Sequence, residues 1–254
     1  MSSLTSYKPI AYNQLDYVNG LQLSFSATNP DEVVSCAAGS TMDSTGTFQI
    51  VVSSALSASN VTAGAGGLDT GTVAASTQYF IHLIQGLLKP SNQALMYSLS
   101  ATAPLMPVGY ELFRCLGVVR TASDSDNLPG YWSGNGSYRT FMFDAPLATT
   151  ITAGAATTAA EVPLSGLVPA IYLNMPVYMY VVATGDAASR TLSVRPYSGT
   201  GYPIVVTTQV TSVAITPTFK IQSRLNSTTP SLQYVWNAGT NTAAFSVAGY
   251  DYYI

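Results

Sequence analysis

Apolar and polar positions alternate with a period of two through most of this chain. Between residues 171 and 181 the odd positions are Ile171, Leu173, Met175, Val177, Met179 and Val181. The even ones are Tyr172, Asn174, Pro176, Tyr178 and Tyr180. Successive side chains of a strand point to opposite faces, so this segment predicts a strand with one aliphatic and one tyrosine-rich face. Pro176 has no ladder donor, which predicts an edge or a bulge there. Over 219–225, Phe219, Ile221 and Leu225 alternate with Lys220, Gln222 and Arg224, the pattern of a half-exposed strand. Further strands are expected over 20–26, 47–53, 78–84, 94–100, 111–120, 138–143, 190–196, 204–214, 232–236 and 243–248.

Turn signals separate these runs: Asn29-Pro30-Asp31, Asp43-Ser44-Thr45-Gly46, Leu128-Pro129-Gly130 and Thr184-Gly185-Asp186 among them. No segment carries three turns of helical periodicity. Many short strands with Gly- and Pro-rich turns predict an all-β fold of antiparallel β-sandwich or jelly-roll units with very little helix. The Ala/Thr-rich segment 144–163 is the candidate boundary, giving an N-terminal sandwich over 21–145 and a C-terminal one over 146–254. Residues 1–20 read as a leading arm, with Tyr7, Tyr12 and Tyr17 as amphipathic anchors that could dock on a neighbour.

Composition sharpens this picture at one point. Charged residues make up 8% of the 254, against about 25% in an average soluble domain. The polar surface must then come from Ser, Thr, Asn, Gln, Gly and Tyr. Such a surface suits a protein that works against other subunits. With a net charge of −3 and no basic run, nothing tracks nucleic-acid phosphates. No membrane insertion is expected, because the most apolar window, 167–183, alternates and holds Pro169, Pro176 and Asn174. The first 20 residues carry no apolar leader pattern. Cys36 and Cys115 are each flanked by apolar residues, which favours buried thiols over a bridge.

The candidate chemistry is thin. Asp69-Thr70-Gly71 is the tripeptide of pepsin-like and retroviral proteases, whose mechanism needs two carboxylates sharing one proton. One such loop occurs here, it is preceded by Gly67-Leu68, and Asp-Thr-Gly is also a favourable turn whose Asp can bond its own backbone. His82 is the single histidine, mid-strand in Tyr79-Phe80-Ile81-His82-Leu83-Ile84, and reads as a core or interface residue. No Cys-x-x-Cys, His-x-His or phosphate loop is present, so no metal or other cofactor is expected. Asp124 and Asp126 read as a solvated acidic turn rather than a calcium loop. Trp132 and Trp236 lie beside Asn, Ser and Gly, where aromatics stack on sugars or make rigid protein contacts. They join Tyr7, Tyr12, Tyr17, Tyr178 and Tyr180 as expected interface residues, protein contact being the favoured use.

Over residues 66–121 the chain resembles a group of tailed-bacteriophage virion proteins. The resemblance rests on "GGLDTGTVAASTQYFIHLI" followed by "SLSATAPLMPVGYELFRCLGVVRTASD". In that group a Gly-Leu-Asp-Thr-Gly turn leads into an aromatic strand, then Ser-Ala-Thr-Ala-Pro and Pro-x-Gly-Tyr turns, then a strand with Phe-Arg and Arg-Thr. Cys115 and Leu116 depart from the pattern, and the end "VAGYDYYI" has no counterpart in it. The resemblance implies a non-enzymatic, oligomeric tail-fibre or appendage component located in the virion, with a trimer favoured. Its partners would be other tail or capsid proteins and a host-surface glycan. A capsid decoration protein, a carbohydrate-binding receptor protein and a retroviral-type aspartic protease are the alternatives.

Overall fold

A computed structural model describes residues 17–134, 136–171, 175–187, 189–198, 203–210, 212–226, 229–237 and 240–254. Among the described residues it contains strands and turns and no helix. The first half holds β1 (Val18–Gly20), β2 (Leu23–Phe25), β3 (Val33–Cys36), β4 (Gly39–Met42), β5 (Gln49–Val52), β6 (Leu56–Ser59), β7 (Gln78–Gln85), β8 (Gln93–Ser98) and β9 (Leu112–Arg120). Then come β10 (Gly130–Ser133), β11 (Tyr138–Ala148), β12 (Ala160–Pro163), β13 (Pro176–Thr184), β14 (Thr191–Pro196) and β15 (Ile204–Thr207). The last are β16 (Ala214–Ile215), β17 (Thr218–Gln222), β18 (Arg224–Asn226), β19 (Thr229–Trp236) and β20 (Thr242–Tyr253).

Three small antiparallel sheets, β1-β4-β5, β2-β3-β6 and β8-β7-β9, make the N-terminal unit. A front sheet of order β10-β11-β20-β13-β16, with β17 also on β13, faces a back sheet of order β12-β19-β14-β15, with β18 on β19. Period two explains the sandwich. On β13, Val177, Met179, Val181 and Ala183 are buried and the intervening Tyr178, Tyr180 and Val182 are half-exposed, as their alternation predicts. The inner faces meet where Tyr234 of β19 packs 5.1 Å from Phe245 of β20. Pro176 opens β13, where it needs no ladder donor, and a register shift follows between Tyr178 and Met179.

The segment read as unplaced, "VAGYDYYI", is the far half of β20, a central strand of the front sheet. Tyr250 and Tyr252 point inward and are buried. The Tyr252 hydroxyl donates to Leu116 O of β9, and Trp132 packs 4.7 Å from Phe25 of β2. One half of β20 thus covers the back sheet and the other half covers the N-terminal unit, and a single apolar cluster runs from Val18 to Tyr252. Burial of that shared surface is the main force holding the two halves together.

The expected boundary at 145/146 falls inside β11, whose register shifts between Met142 and Leu147. The Ala/Thr-rich stretch is packed backbone: Thr149 N donates to Phe245 O, Gly154 and Ala243 exchange both bonds, and β12 pairs with β19. Small side chains let it lie this close to its neighbours. Of the expected arm, residues 18–20 form β1 and pair with β4.

Candidate functional site

Segment 66–69 is backbone stitching. Ser59 N donates to Gly66 O, Gly66 N to Leu95 O, Tyr97 N to Gly67 O and Asp69 N to Tyr97 O, all at 2.8–2.9 Å. The glycines let this segment bridge the end of β6 to β8. A Cβ on Gly67 would lie 2.4 Å from Thr62 O. Asp69 does not bond its own turn. Its Oδ2 accepts from Leu105 N at 3.0 Å, because the extended segment carries the carboxylate out to the 99–110 loop.

His82 is fully buried on β7, the central strand of its sheet. Nε2 lies 2.8 Å from Ser100 O, so that nitrogen carries the proton and donates to the carbonyl. Nδ1 is a buried acceptor with no partner. Burial pushes the imidazole pKa down to about 4, against the opposing pull of the Ser100 carbonyl and the Asp69 charge. The ring is therefore neutral at neutral pH, edge-on to Phe113 at 5.6 Å. Cys115 lies opposite it in register, with Sγ 3.7 Å from Gly117 O. Neither cysteine is in a disulfide, and burial raises the Cys36 thiol to about 12. Asp126 N donates to Asp124 Oδ1 in an exposed turn, and among the described residues no three carboxylate, thiol or imidazole side chains are placed to hold a metal ion.

The expected interface aromatics divide. Tyr7 and Tyr12 lie outside the described residues. Tyr17 is exposed, its hydroxyl hydrogen-bonded with Ser40 Oγ. Tyr178 and Tyr180 stand on the outer face of β13. Trp132 and Trp236 are corrected: they are core residues, 7% and 1% exposed. Both strands place them on inner faces, and the polar neighbours that suggested exposure belong to the alternate face or the adjoining turns. Trp236 Nε1 donates to Gly154 O at 3.2 Å, which satisfies the indole inside the core.

The outer face of the front sheet holds side chains that sequence reading missed: Tyr131, Tyr138, Tyr253 and, between them, Asp251. The Asp251 side chain is fully buried beneath its neighbours. Thr140 Oγ1 donates to its Oδ1 at 2.6 Å, Tyr178 OH to Oδ1 at 3.3 Å, Lys220 Nζ to Oδ2 at 2.5 Å, and Tyr138 OH also to Oδ2. Burial pushes this carboxyl up, but the hydrogen bonds from Lys220, Thr140 and Tyr138 outweigh it and hold it below the ordinary range. The bond to Asp251 is also the largest cause of the raised Lys220 pKa. Lys220 Nζ sits 5.0 Å above the Tyr178 ring. The signal for this cluster was the alternation of Tyr250 and Tyr252 with Asp251 and Tyr253, which is legible only once the segment is taken as a strand.

A second surface lies beside β5. β5 is the edge of its sheet, and Phe48, Val51 and Leu87 line a groove of about 240 Å³ beside it with Pro90 and Leu112. Val51 is 56% exposed, and Leu88 in the adjoining loop is 96% exposed.

No family model and no curated protein matches the chain. Among solved structures it is similar to TmCBM61 in complex with beta-1,4-galactotriose, at 12% identity and a TM-score of 0.21, over 55% of this chain and 74% of that one. At that distance the likeness says nothing of what this chain binds.

Proposed function

We propose that this chain is a non-enzymatic structural subunit of a bacteriophage virion, an oligomeric tail-fibre or appendage component. The observation that carries assembly is the groove at β5. Val51 of β5 lines it with Phe48, Leu87, Pro90 and Leu112, and the second edge of β5 pairs with no strand among the described residues, Val51 O accepting only from Gln93 Nε2, in a chain that is 8% charged. An exposed apolar edge strand is a template for self-association unless a neighbour covers it, and closed oligomers cover it. The groove of about 240 Å³ is lined by Phe48, Val51, Leu87, Pro90 and Leu112 together with Gln49, Gln85 and Gln93 and by no charged residue, so its occupant is uncharged and largely apolar. The virion setting rests on the resemblance over residues 66–121. In this reading Asp69 and His82 serve the fold: one caps a loop amide and the other holds the Ser100 carbonyl.

Gold-labelled antibody against this chain on purified particles tests the setting. Label on tail appendages supports it. Label on tailless capsid shells moves the chain to capsid decoration, and particles without label overturn the virion reading.

A further inference from the structure

Leu88 stands clear of its own chain. It is 96% exposed, and among the large apolar residues described only Val108, on the adjoining loop, is as bare. The hairpin loop 86–92 that carries it, between β7 and β8, is braced at four places. Gly86 N donates to Asn92 O at 2.9 Å, Asn92 N to Lys89 O at 2.8 Å, Asn92 Nδ2 to Gly109 O at 3.1 Å and Leu87 N to Glu111 Oε2 at 2.7 Å. Gly86 lies close against the neighbouring loop, where a Cβ would be 2.7 Å from Gly109 O. Leu88 is therefore a preformed knob, and a partner that takes it has little loop to order. Its chain neighbour Leu87 and the nearby Pro90 turn the other way and wall the β5 groove. Knob and groove stand side by side on one braced loop. The knob does not fill the groove beside it, since almost all of its surface is in solvent.

We infer, taking assembly through this groove as given, that Leu88 of one copy of the chain fills the β5 groove of the next copy. The walls select the occupant first. Phe48, Val51 and Leu112 are joined there by three glutamines and by no charge, in a groove of about 240 Å³. That lining takes a single uncharged aliphatic side chain presented on a projection, which is what Leu88 is. Burial there removes from water an apolar side chain that the lone chain leaves bare. Charge at the rim selects a copy of this same chain. Lys89 follows the knob, is exposed, and is in no ion pair among the described residues. Glu111 precedes Leu112 of the groove wall and is also exposed. With Leu88 seated, the ammonium of one copy comes to the carboxylate of the other. Position selects a repeating contact. Each copy presents one knob and one groove on the same part of its surface, so a closed ring of copies fills every groove and covers every knob.

Sedimentation equilibrium of Leu88→Asp beside wild type and Val51→Glu tests it, together with photo-crosslinking from p-benzoylphenylalanine placed at position 88. Leu88 is almost wholly in solvent, so Leu88→Asp should keep the wild-type melting curve in circular dichroism. Its association should be weaker by about thirtyfold or more, the loss of a central apolar anchor. Irradiation should give crosslinked dimers whose adducts map to Phe48, Val51 or Leu112 of the second chain. Lys89→Glu should weaken association clearly at about 0.05 M salt and much less at about 0.5 M, where a rim charge is screened. Leu88→Asp that assembles like wild type while Val51→Glu is a monomer, or adducts that map outside the groove, overturns the inference and leaves assembly through the groove standing. A monomeric wild type overturns both. A wild-type monomer that floats with phosphatidylcholine vesicles, and loses them on Leu88→Asp, gives the knob to a lipid surface and likewise overturns it.

Discussion

Asp251 and Lys220 lie on strands that do not pair, β20 and β17, with β13 between them, yet Lys220 Nζ reaches Asp251 Oδ2 at 2.5 Å. The bond spans two strand spacings over the ring of Tyr178 and ties the outer face of the front sheet together. The carboxylate is buried and the ammonium is half in solvent. Removing the two partners therefore has unequal effects.

Lys220→Met leaves Asp251 with hydroxyl donors alone. The expected cost at pH 7 is about 1 to 2 kcal/mol, small because Lys220 is exposed. Asp251→Ala strands three hydroxyls and the ammonium and should cost more, about 3 kcal/mol. The sign with pH follows from the lowered Asp251 pKa. Its contribution is full above the unfolded carboxylate value of about 3.9 and is lost as pH falls through the lower folded value. Urea unfolding of wild type and Lys220→Met at pH 7 and pH 2.5 should show the gap between them closing in acid.

His82 gives a second acid window. Its pKa is about 4 in the folded chain against 6.5 as a free side chain. Stability from the neutral imidazole is complete above 6.5 and falls as pH drops toward 4, by about 3 kcal/mol in all. His82→Gln keeps a donor toward Ser100 O and cannot take up the proton. Between pH 7 and pH 4.5 it should lose clearly less stability than wild type, measured by chemical denaturation. Equal losses would mean that the imidazole is reached by water.

The two tryptophans differ in one bond. Trp236 Nε1 donates to Gly154 O, and Trp132 Nε1 has no partner. Both phenylalanine variants lose packing, but Trp236→Phe also loses a hydrogen bond, its partner Gly154 O keeping the one from Ala243 N. It should be the more destabilising by about 1 kcal/mol in urea titrations. Wild-type emission should be blue-shifted and resistant to iodide quenching, since both indoles are in the core.

Gly67→Ala should loosen the stitch between β6 and β8, because its Cβ would meet Thr62 O at 2.4 Å. The expected loss is about 1 to 3 kcal/mol. Hydrogen exchange should locate the change at the amides of Gly66, Asp69 and Tyr97, which donate the bonds of the stitch.

Period-two alternation made much of this fold legible. The runs expected over 78–84 and 111–120 match β7 and β9 to within a residue, the run over 171–181 is met by β13 only from Pro176, with 172–174 outside the described residues, and the run over 219–225 divides into β17 and β18. Alternation missed β4, where Ser40 and Thr41 are buried polar residues: Thr41 Oγ1 donates to Tyr17 O, a partner no local pattern reveals. It missed β6, β10 and β12, four residues each and set among small side chains or turns. The run expected over 204–214 divides into β15 and β16. The site was less legible than the fold. Tyr178 and Tyr180 were visible from their own alternation, whereas Asp251 acquires its meaning from Tyr138, Thr140 and Lys220, 31 to 113 residues away along the chain. Trp132 and Trp236 were misplaced because polar neighbours in sequence point the other way on a strand.

Assembly through the β5 groove is tested most directly by sedimentation equilibrium of the wild type beside Val51→Glu. Val51 is 56% exposed and lines the groove, so the substitution should leave the fold intact and place a charge on the contact. The expected result is a wild-type oligomer, with a trimer favoured, and a Val51→Glu monomer of 26.6 kDa. A wild-type chain that sediments as a monomer, or a Val51→Glu oligomer indistinguishable from wild type, would contradict it.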